Sequence, residues 1–303
     1  MQEVFSSRAE GGWHMEQAIA KLEKDGYCRV PRVFGPDEIT RLLDLVLLWH
    51  HKTHDSLSSN VPYLNREHPM VYNLQSKDYF FVDIMLGCPM IERLLHHFLN
   101  DAWYKQIPPD EPNYILRSYL ARSSTYAMPM HIDSFIPYTG SHVNSIQVGI
   151  VLEDQTVSNG CTLVVPGSHQ SGRYADRTAI QEAVPIESQA GDVVFWDSRL
   201  WHATTENTSG KTRWAVIATF ARWWMKQAFN IPQNLPQEIY DQLTTKQKAV
   251  LGFCSLPYND ETEGIDMKRG YETLAVTVAE YRYAPANSGV PKDRPALADS
   301  PVA

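Results

Sequence analysis

Hydrophobic and polar positions follow different periods in the first 100 residues and in the stretch after them. In the first part, apolar residues recur every three or four positions, as in Ile39, Leu42, Leu43, Val46 and Leu47. This spacing is typical of helices with one buried face. Gly and Pro punctuate the pattern. We predict a helix over 15–24, a short strand over 27–33, a helix from Pro36 and a helix over 89–99.

From about residue 113 the spacing of apolar residues no longer follows the helical period of three or four positions. Segments such as YILRSYLA, SIQVGIVLE, CTLVVP, DVVFW and RWAVIATFARWW are short, β-branched or aromatic, and separated by Gly, Asn, Asp or Pro. Many short strands between turn signals predict an all-β sandwich or barrel. The absence of strand–helix alternation in this sequence argues against a parallel, nucleotide-binding sheet.

These patterns predict one domain over 1–283. Its β core covers about 113–225, and helical flanks lie at 15–100 and 226–283, including a single helix over 235–252. The segment 284–303 is rich in Pro and Ala and holds no aromatic residue, so we expect a disordered tail.

Composition narrows the function classes. The formal net charge is −8 and the basic residues are scattered, which argues against nucleic acid as a partner. No apolar run is long enough to span a membrane. Four widely spaced cysteines and an N-terminus without an apolar signal segment favour the cytoplasm, with either Met1 or Met15 as the start. A small-molecule substrate fits these exclusions, and a homodimer stays open.

Two potential metal ligands stand close together in His131-Ile132-Asp133. In extended backbone, residues i and i+2 point to the same face, so the imidazole and the carboxylate would project together. A three-residue pattern recurs by chance in many proteins. It therefore needs a third ligand, and His202, which follows a predicted strand ending at Trp196, is the best candidate.

Two histidines and one carboxylate form the facial set that holds non-haem Fe(II) and leaves coordination positions open. The same ligands also bind Zn(II), so ligand type does not decide the metal.

Arg213 lies eleven residues after His202. The segment between them predicts a β-hairpin with its turn in 207–210, which would place Thr204 opposite Arg213 and both on the face of His202. An arginine beside a hydroxyl near a metal suits a dicarboxylate, because a guanidinium binds a carboxylate through two hydrogen bonds.

This combination resembles the phytanoyl-CoA dioxygenase family of Fe(II)/2-oxoglutarate oxygenases. Further matches stand in the same order: Asp25-Gly26-Tyr27 near the N-terminus, Asn159-Gly160 followed five residues later by Pro166-Gly167-Ser168-His169, and the Gly191-Asp192 turn. The resemblance covers residues 20 to 225. It implies mainly β structure with flanking helices, a double-stranded β-helix or distorted, cupin-like jelly roll with the metal at one mouth.

The resemblance also implies cofactors and roles. His131, Asp133 and His202 would bind Fe(II), which uses 2-oxoglutarate and O2 as cosubstrates. Arg213 would bind the distal carboxylate of 2-oxoglutarate, with Thr204 as a second contact. Family members often carry a polar residue three positions before the first histidine, where this chain has Met128. If that position contacts the cosubstrate in the family, Gln147 or Asn73 would have to take its place here.

The implied reaction is oxidation of a C–H bond in a small organic molecule, by default hydroxylation, with release of succinate and CO2. A role in natural-product biosynthesis fits, and the retained Asp133 disfavours halogenation. Two alternatives stay open. One is a metal-dependent jelly-roll enzyme that does not use 2-oxoglutarate, against which Arg213 argues. The other is a non-catalytic binding module, against which the complete ligand set argues.

Overall fold

A computed structural model describes residues 15–56, 69–101, 111–123 and 126–253. The expected tail at 284–303 and most of the C-terminal flank lie outside these residues. The helices are α1 (Met15–Asp25), α2 (Pro36–Ser56), α3 (Tyr79–Leu86), α4 (Pro89–Leu99), α5 (Ile231–Asn234), α6 (Gln237–Tyr240) and α7 (Thr245–Val250). The strands are β1 (Tyr27–Val30), β2 (Met70–Tyr72), β3 (Tyr114–Ser123), β4 (Met128–His131), β5 (Ser145–Val151), β6 (Thr162–Val164), β7 (Val184–Ile186), β8 (Val193–Asp197), β9 (His202–Thr204) and β10 (Trp214–Arg222).

The strands form two antiparallel sheets. The major sheet has the order β1-β8-β5-β10-β3-β2, and the minor sheet has the order β4-β9-β6-β7. Successive strands alternate between the two sheets from β3 to β6 and again from β7 to β10. This arrangement is the predicted double-stranded β-helix. The fold class is confirmed.

The two faces of the major sheet pack against different partners. Helices α1, α4 and α7 contact its strands on one face, where the largest apolar core lies. The other face meets the minor sheet around a smaller core that includes Val151, Val164, Val194 and Trp196. All seven residues of β5 are buried, since this strand is covered on both faces. A continuous apolar run is what such a strand requires.

The N-terminal elements agree with the pattern of the sequence. Helices α1, α2 and α4 form where they were predicted. Strand β1 also forms, but it ends at Val30 rather than at residue 33, and it joins the major sheet beside β8. Gly26, with φ of +80°, ends α1, because this backbone conformation suits a residue without a side chain. Strand β2 and helix α3 were not predicted.

The single helix predicted over 235–252 is wrong. Two short helices, α6 and α7, occupy this region instead, and α7 begins with a cap of its own at Thr244. Thr244 Oγ1 accepts a hydrogen bond from the backbone of Gln247, and the Gln247 side chain accepts one from the Thr244 backbone. This reciprocal cap begins a helix rather than continuing one. Among the described helices, none combines the length and the apolar character needed to cross a bilayer.

Candidate metal centre and cosubstrate site

The three predicted metal ligands meet at one end of the minor sheet. His131 ends β4 and His202 begins β9, and the two residues are direct partners across these antiparallel strands. Asp133 follows two residues later, where the backbone N–H groups of Asp133 and Ser134 both donate to the carbonyl of Ser198. The turn after β8 therefore fixes the aspartate beside the histidine pair.

The distances between these side chains suit one bound ion. His131 Nε2 lies 3.7 Å from Asp133 Oδ1, and His202 Nε2 lies 3.4 Å from Asp133 Oδ2. One ligand atom from each residue can be chosen so that all lie within 4.8 Å of one another. No other such group of His, Cys, Asp and Glu occurs in the described part of the chain.

Backbone carbonyls orient both imidazoles. His131 Nδ1 lies 2.8 Å from the carbonyl of Pro129, and His202 Nδ1 lies 2.9 Å from that of Leu200. A carbonyl oxygen only accepts hydrogen bonds, so each Nδ1 carries the proton and each Nε2 offers its lone pair to a metal. Burial, together with the neighbouring His202, lowers the pKa of His131, which favours the neutral, metal-binding form.

Gln147 lies on the inner face of the major sheet, which is the face that packs against the minor sheet. Its cross-strand partner on β8 is Trp196, whose indole Nε1 donates to Asp133 Oδ2 at 3.1 Å. The polar atoms of Gln147 serve the protein itself: Thr219 Oγ1 donates to its Oε1 at 2.6 Å, and its Nε2 lies 3.4 Å from Ser198 Oγ. Its contact with a cosubstrate stays a prediction.

The hairpin predicted between His202 and Arg213 is wrong. Strand β9 pairs with β4 and β6 in the minor sheet, whereas β10, which begins after Arg213, pairs with β3 and β5 in the major sheet. Thr204 therefore has Met128 and Thr162 as strand partners rather than Arg213. The chain crosses from one sheet to the other between 205 and 213, which local spacing cannot reveal.

Arg213 nevertheless points into the interior. Its side chain is almost fully buried, and its backbone N–H donates to Ser123 Oγ at 2.9 Å. Its Nε is buried with no hydrogen-bond acceptor among the described residues. Burial, and next the positive charge of Arg122, lowers the pKa of Arg213 to about 10. A buried guanidinium with an unused donor is suited to an anionic ligand.

Thr204 offers a hydroxyl from the opposite sheet. Its Oγ1 accepts a hydrogen bond from the Met128 backbone N–H at 2.9 Å. This bond uses an acceptor site, so the hydroxyl proton remains available to donate. Thr204 lies two residues after His202 on the same strand, and the side chain is buried. It can therefore donate to an anion close to the metal ligands.

A family model agrees with this arrangement. Residues 22–215 match the model of phytanoyl-CoA dioxygenase (PhyH), which is more than half of the chain. The chain belongs to this family. The resemblance expected from the H-x-D, His and Arg spacing is confirmed.

The chain is also similar to individual proteins of known sequence or structure. Dioxygenase af480 of Aspergillus fumigatus is 26% identical over 255 residues, which cover 81% of this chain and 79% of that protein. Among solved structures, AviO1 from Streptomyces viridochromogenes Tue57 has a TM-score of 0.54 at 25% identity, covering 70% of this chain and 96% of its own.

The epimerase SnoN, solved with Fe3+, α-ketoglutarate and nogalamycin RO, has a TM-score of 0.54 at 18% identity, covering 74% of this chain and 90% of its own. This similarity establishes the fold. The chain spans 42% of the length of the first curated relatives that it matches, two uncharacterized mycobacterial proteins.

Two residues at the site went unnoticed in the sequence. Trp196 reads as an ordinary strand residue, and its contact with Asp133 depends on the pairing of distant segments. Arg122 reads as a polar residue of a strand, although its Nη2 contacts Met128 Sδ at 3.0 Å inside the sandwich. The sequence held no signal that singled out Arg122, since β3 contains a second arginine, Arg117, whose guanidinium lies over the Phe135 ring.

Proposed function

We propose that this member of the family is an Fe(II)- and 2-oxoglutarate-dependent dioxygenase that oxidises a C–H bond of a small organic molecule. Hydroxylation is the default outcome, with succinate and CO2 as the other products. The observation that carries the proposal is the triangle of His131, Asp133 and His202 in the same sandwich as Arg213, whose Nε has no described acceptor.

The donor set fits Fe(II). Two imidazoles and one carboxylate are the facial ligand set of non-haem Fe(II) oxygenases. The two Nδ1–H groups hold both rings so that each Nε2 would be free to bind the ion, and Trp196 keeps one carboxylate oxygen of Asp133 occupied. Bound Fe(II) and 2-oxoglutarate supply the activation of dioxygen.

The cosubstrate residues act by binding and orientation. Arg213 receives the carboxylate remote from the metal, where its unpaired Nε gains an acceptor. Thr204 donates its free hydroxyl proton to the same molecule. Because Arg213 is almost fully buried, water competes poorly for these contacts, and the charged hydrogen bonds are strengthened.

Apolar side chains beside the metal centre favour a substrate with an apolar body. Phe135 lies two residues after Asp133 and is 73% exposed, and Ile136 beside it is 63% exposed. Tyr174 donates from its hydroxyl to the Phe135 carbonyl at 3.0 Å, which holds this segment in place. The Arg117 guanidinium lies over the Phe135 ring at 4.7 Å.

A role in natural-product biosynthesis draws support from SnoN, which belongs to nogalamycin biosynthesis. The reducing cytosol is the proposed compartment, because the cysteines Cys28 and Cys161 are buried free thiols. We propose neither nucleic acid nor a membrane as a partner, given the net charge of −8.

The test is an anaerobic titration of the metal-free protein with Fe(II) and then with 2-oxoglutarate. Chelation of 2-oxoglutarate by ferrous iron gives a weak charge-transfer band in the visible region. We expect the band in the wild type and in His142→Ala, which changes an exposed histidine. We expect no band in His202→Ala and a much weaker 2-oxoglutarate response in Arg213→Ala. Iron binding without a band in the wild type would favour a jelly-roll protein that does not use 2-oxoglutarate.

A further inference from the structure

Two arginines in the β sandwich, Arg199 and Arg222, have hydrogen-bond acceptors within the protein. The guanidinium of Arg199 forms two hydrogen bonds with the Asp197 carboxylate, at 2.9 and 2.6 Å, and a third with the Gly140 carbonyl. Arg222 donates to three backbone carbonyls. Such partners are what buried guanidinium groups require.

Arg122 and Arg213 lack comparable partners. The side-chain contact of Arg122 is the thioether sulfur of Met128 at 3.0 Å, a weak acceptor without charge. Arg213 Nε has no acceptor among the described residues. Within the described ranges, no carboxylate lies within ion-pair distance of either guanidinium.

The strand register brings these two arginines together. Arg122 on β3 pairs directly with Ala215 on β10, and Arg213 precedes Ala215 by two residues. Residues two apart point to the same face, so the two arginines are diagonal neighbours on the inner face of the major sheet. The positive charge of Arg122 helps to lower the pKa of Arg213, in keeping with this proximity.

Arg213 is buried and Arg122 is half-buried, and two like charges so close together are unfavourable unless an anion joins them. Asp133 attracts Arg122 at longer range, and its carboxylate is a metal ligand in the proposed function. The pair of arginines therefore needs a further negative group, and 2-oxoglutarate brings a carboxylate to Arg213.

We propose that Arg122 is a second cosubstrate-binding residue, which holds the distal carboxylate of 2-oxoglutarate together with Arg213. The proposal rests on the proposed function and deepens it. The site is then a clamp of two guanidinium groups and the Thr204 hydroxyl. Arg122 also accounts for Met128, which stands where family members often carry a polar residue. The Met128 thioether contacts the Arg122 guanidinium, and this guanidinium would make the cosubstrate contact that the polar residue makes elsewhere.

The experiment compares two keto acids that differ at the far end. 2-Oxoglutarate carries the distal carboxylate, and 2-oxopentanoate has a methyl group in its place, while both chelate iron through the same atoms. Their affinities for the Fe(II) protein are measured anaerobically from the charge-transfer band and by equilibrium dialysis. The variants are Arg122→Met and Arg122→Lys.

Arg117→Met is the matched control. Arg117 lies on the same strand and also interacts with the charge of Asp133, but it stacks on Phe135 and donates to the Lys226 carbonyl. Removing it changes the local field by one charge without touching the clamp. Thermal unfolding and circular dichroism verify that each variant is folded.

We expect Arg122→Met to weaken 2-oxoglutarate binding roughly tenfold to a hundredfold, as loss of a charged hydrogen bond does. Binding of 2-oxopentanoate should change less than about twofold. Arg122→Lys should recover part of the affinity, and Arg117→Met should bind both keto acids like the wild type.

The results separate the two proposals. Wild-type affinity for 2-oxoglutarate in folded Arg122→Met would overturn the role of Arg122 and leave the proposed function intact. Equal losses for both keto acids would place Arg122 near the metal end and overturn the distal clamp. If Arg122→Met does not fold, the two keto acids are compared in Arg122→Lys instead. Unchanged 2-oxoglutarate affinity in that variant, with wild-type discrimination between the two keto acids, would also count against the clamp. Absence of any band in the wild type would overturn the proposed function.

Discussion

The indole of Trp196 donates a hydrogen bond from Nε1 to Oδ2 of Asp133 at 3.1 Å. Trp196 comes from the major sheet, whereas Asp133 follows a strand of the minor sheet. The bond thus ties a metal-binding carboxylate of one sheet to the other sheet. It also occupies one carboxylate oxygen, so the other is the freer of the two to bind a metal.

Replacing Trp196 by phenylalanine keeps an aromatic ring and removes the N–H donor. We expect Trp196→Phe to bind Fe(II) about 10- to 100-fold more weakly, because partners of metal ligands contribute this much to affinity. Anaerobic metal titration gives the affinity. The exposed Trp224 provides the control Trp224→Phe, which should bind iron like the wild type. Equal affinities in both variants would mean that the indole bond does not orient Asp133.

The Thr204 hydroxyl is the contact that we assign to 2-oxoglutarate from the minor sheet. Thr204→Val removes the proton that we assign to 2-oxoglutarate and the acceptor of the Met128 N–H. We expect 2-oxoglutarate affinity to fall about tenfold and the free energy of unfolding to fall by about 1 kcal/mol. Thr204→Ser keeps the hydroxyl and should bind 2-oxoglutarate within about twofold of the wild type. If Val binds 2-oxoglutarate as well as Ser does, the hydroxyl makes no contact with it.

Gly160 leaves space beside the Arg213 guanidinium, and an alanine at this position would show whether 2-oxoglutarate binding depends on that space. This residue has a φ of +94°, and an added Cβ would lie 3.3 Å from the Thr205 carbonyl oxygen and 3.4 Å from Arg213 Nε. Gly210→Ala is a matched control, because Gly210 also has a positive φ, +70°, but its Cβ would meet nothing within 4 Å.

We expect both alanine variants to lose about 1–3 kcal/mol of stability, the usual cost of this backbone region for a residue with a side chain. Gly160→Ala should also lower 2-oxoglutarate affinity, since the methyl group crowds the Arg213 guanidinium. Denaturant unfolding and the charge-transfer titration measure these two effects separately. Unchanged 2-oxoglutarate affinity in Gly160→Ala would show that Arg213 adapts without loss.

Sequence reasoning predicted those parts of the site that depend on local spacing or on residue type. His131 and Asp133 lie two residues apart, so one extended segment presents both. His202 was found because a metal of this kind needs a second histidine. Arg213 is buried inside the sandwich, but the predicted hairpin does not form, and its contact with 2-oxoglutarate stays a prediction.

The remaining features depend on pairings between distant segments. Trp196 reaches Asp133 across 63 positions of the chain, and Arg122 meets Arg213 through the register of β3 against β10. Strand alternation assigns a residue to a face but does not say which sheet lies opposite. The same limit explains why β2, a strand of three residues at the sheet edge, escaped prediction.

The turn between β8 and β9 supports the metal ligand Asp133. Asp197 and Arg199 form a buried ion pair at 2.6 Å, and Ser198 between them holds the Asp133 backbone through its carbonyl. Asp197→Asn removes the charge that balances Arg199 and leaves a buried cation. We expect a loss of about 3–5 kcal/mol in the free energy of unfolding, measured with urea. Iron affinity should fall as well, because the turn positions Asp133.

Glu92→Gln supplies the comparison for the stability loss. Glu92 pairs with Lys246 at 3.0 Å, but both side chains are more than a third exposed, so water screens the pair. Such a pair contributes about 0–1 kcal/mol, and iron affinity should stay at the wild-type value. If Asp197→Asn lost no more stability than Glu92→Gln, Arg199 would have to be satisfied by the Gly140 carbonyl and the Tyr138 ring, its other contacts. If stability fell but iron affinity did not, the backbone of Asp133 would be held independently of the ion pair, and the two roles of this turn would be separate.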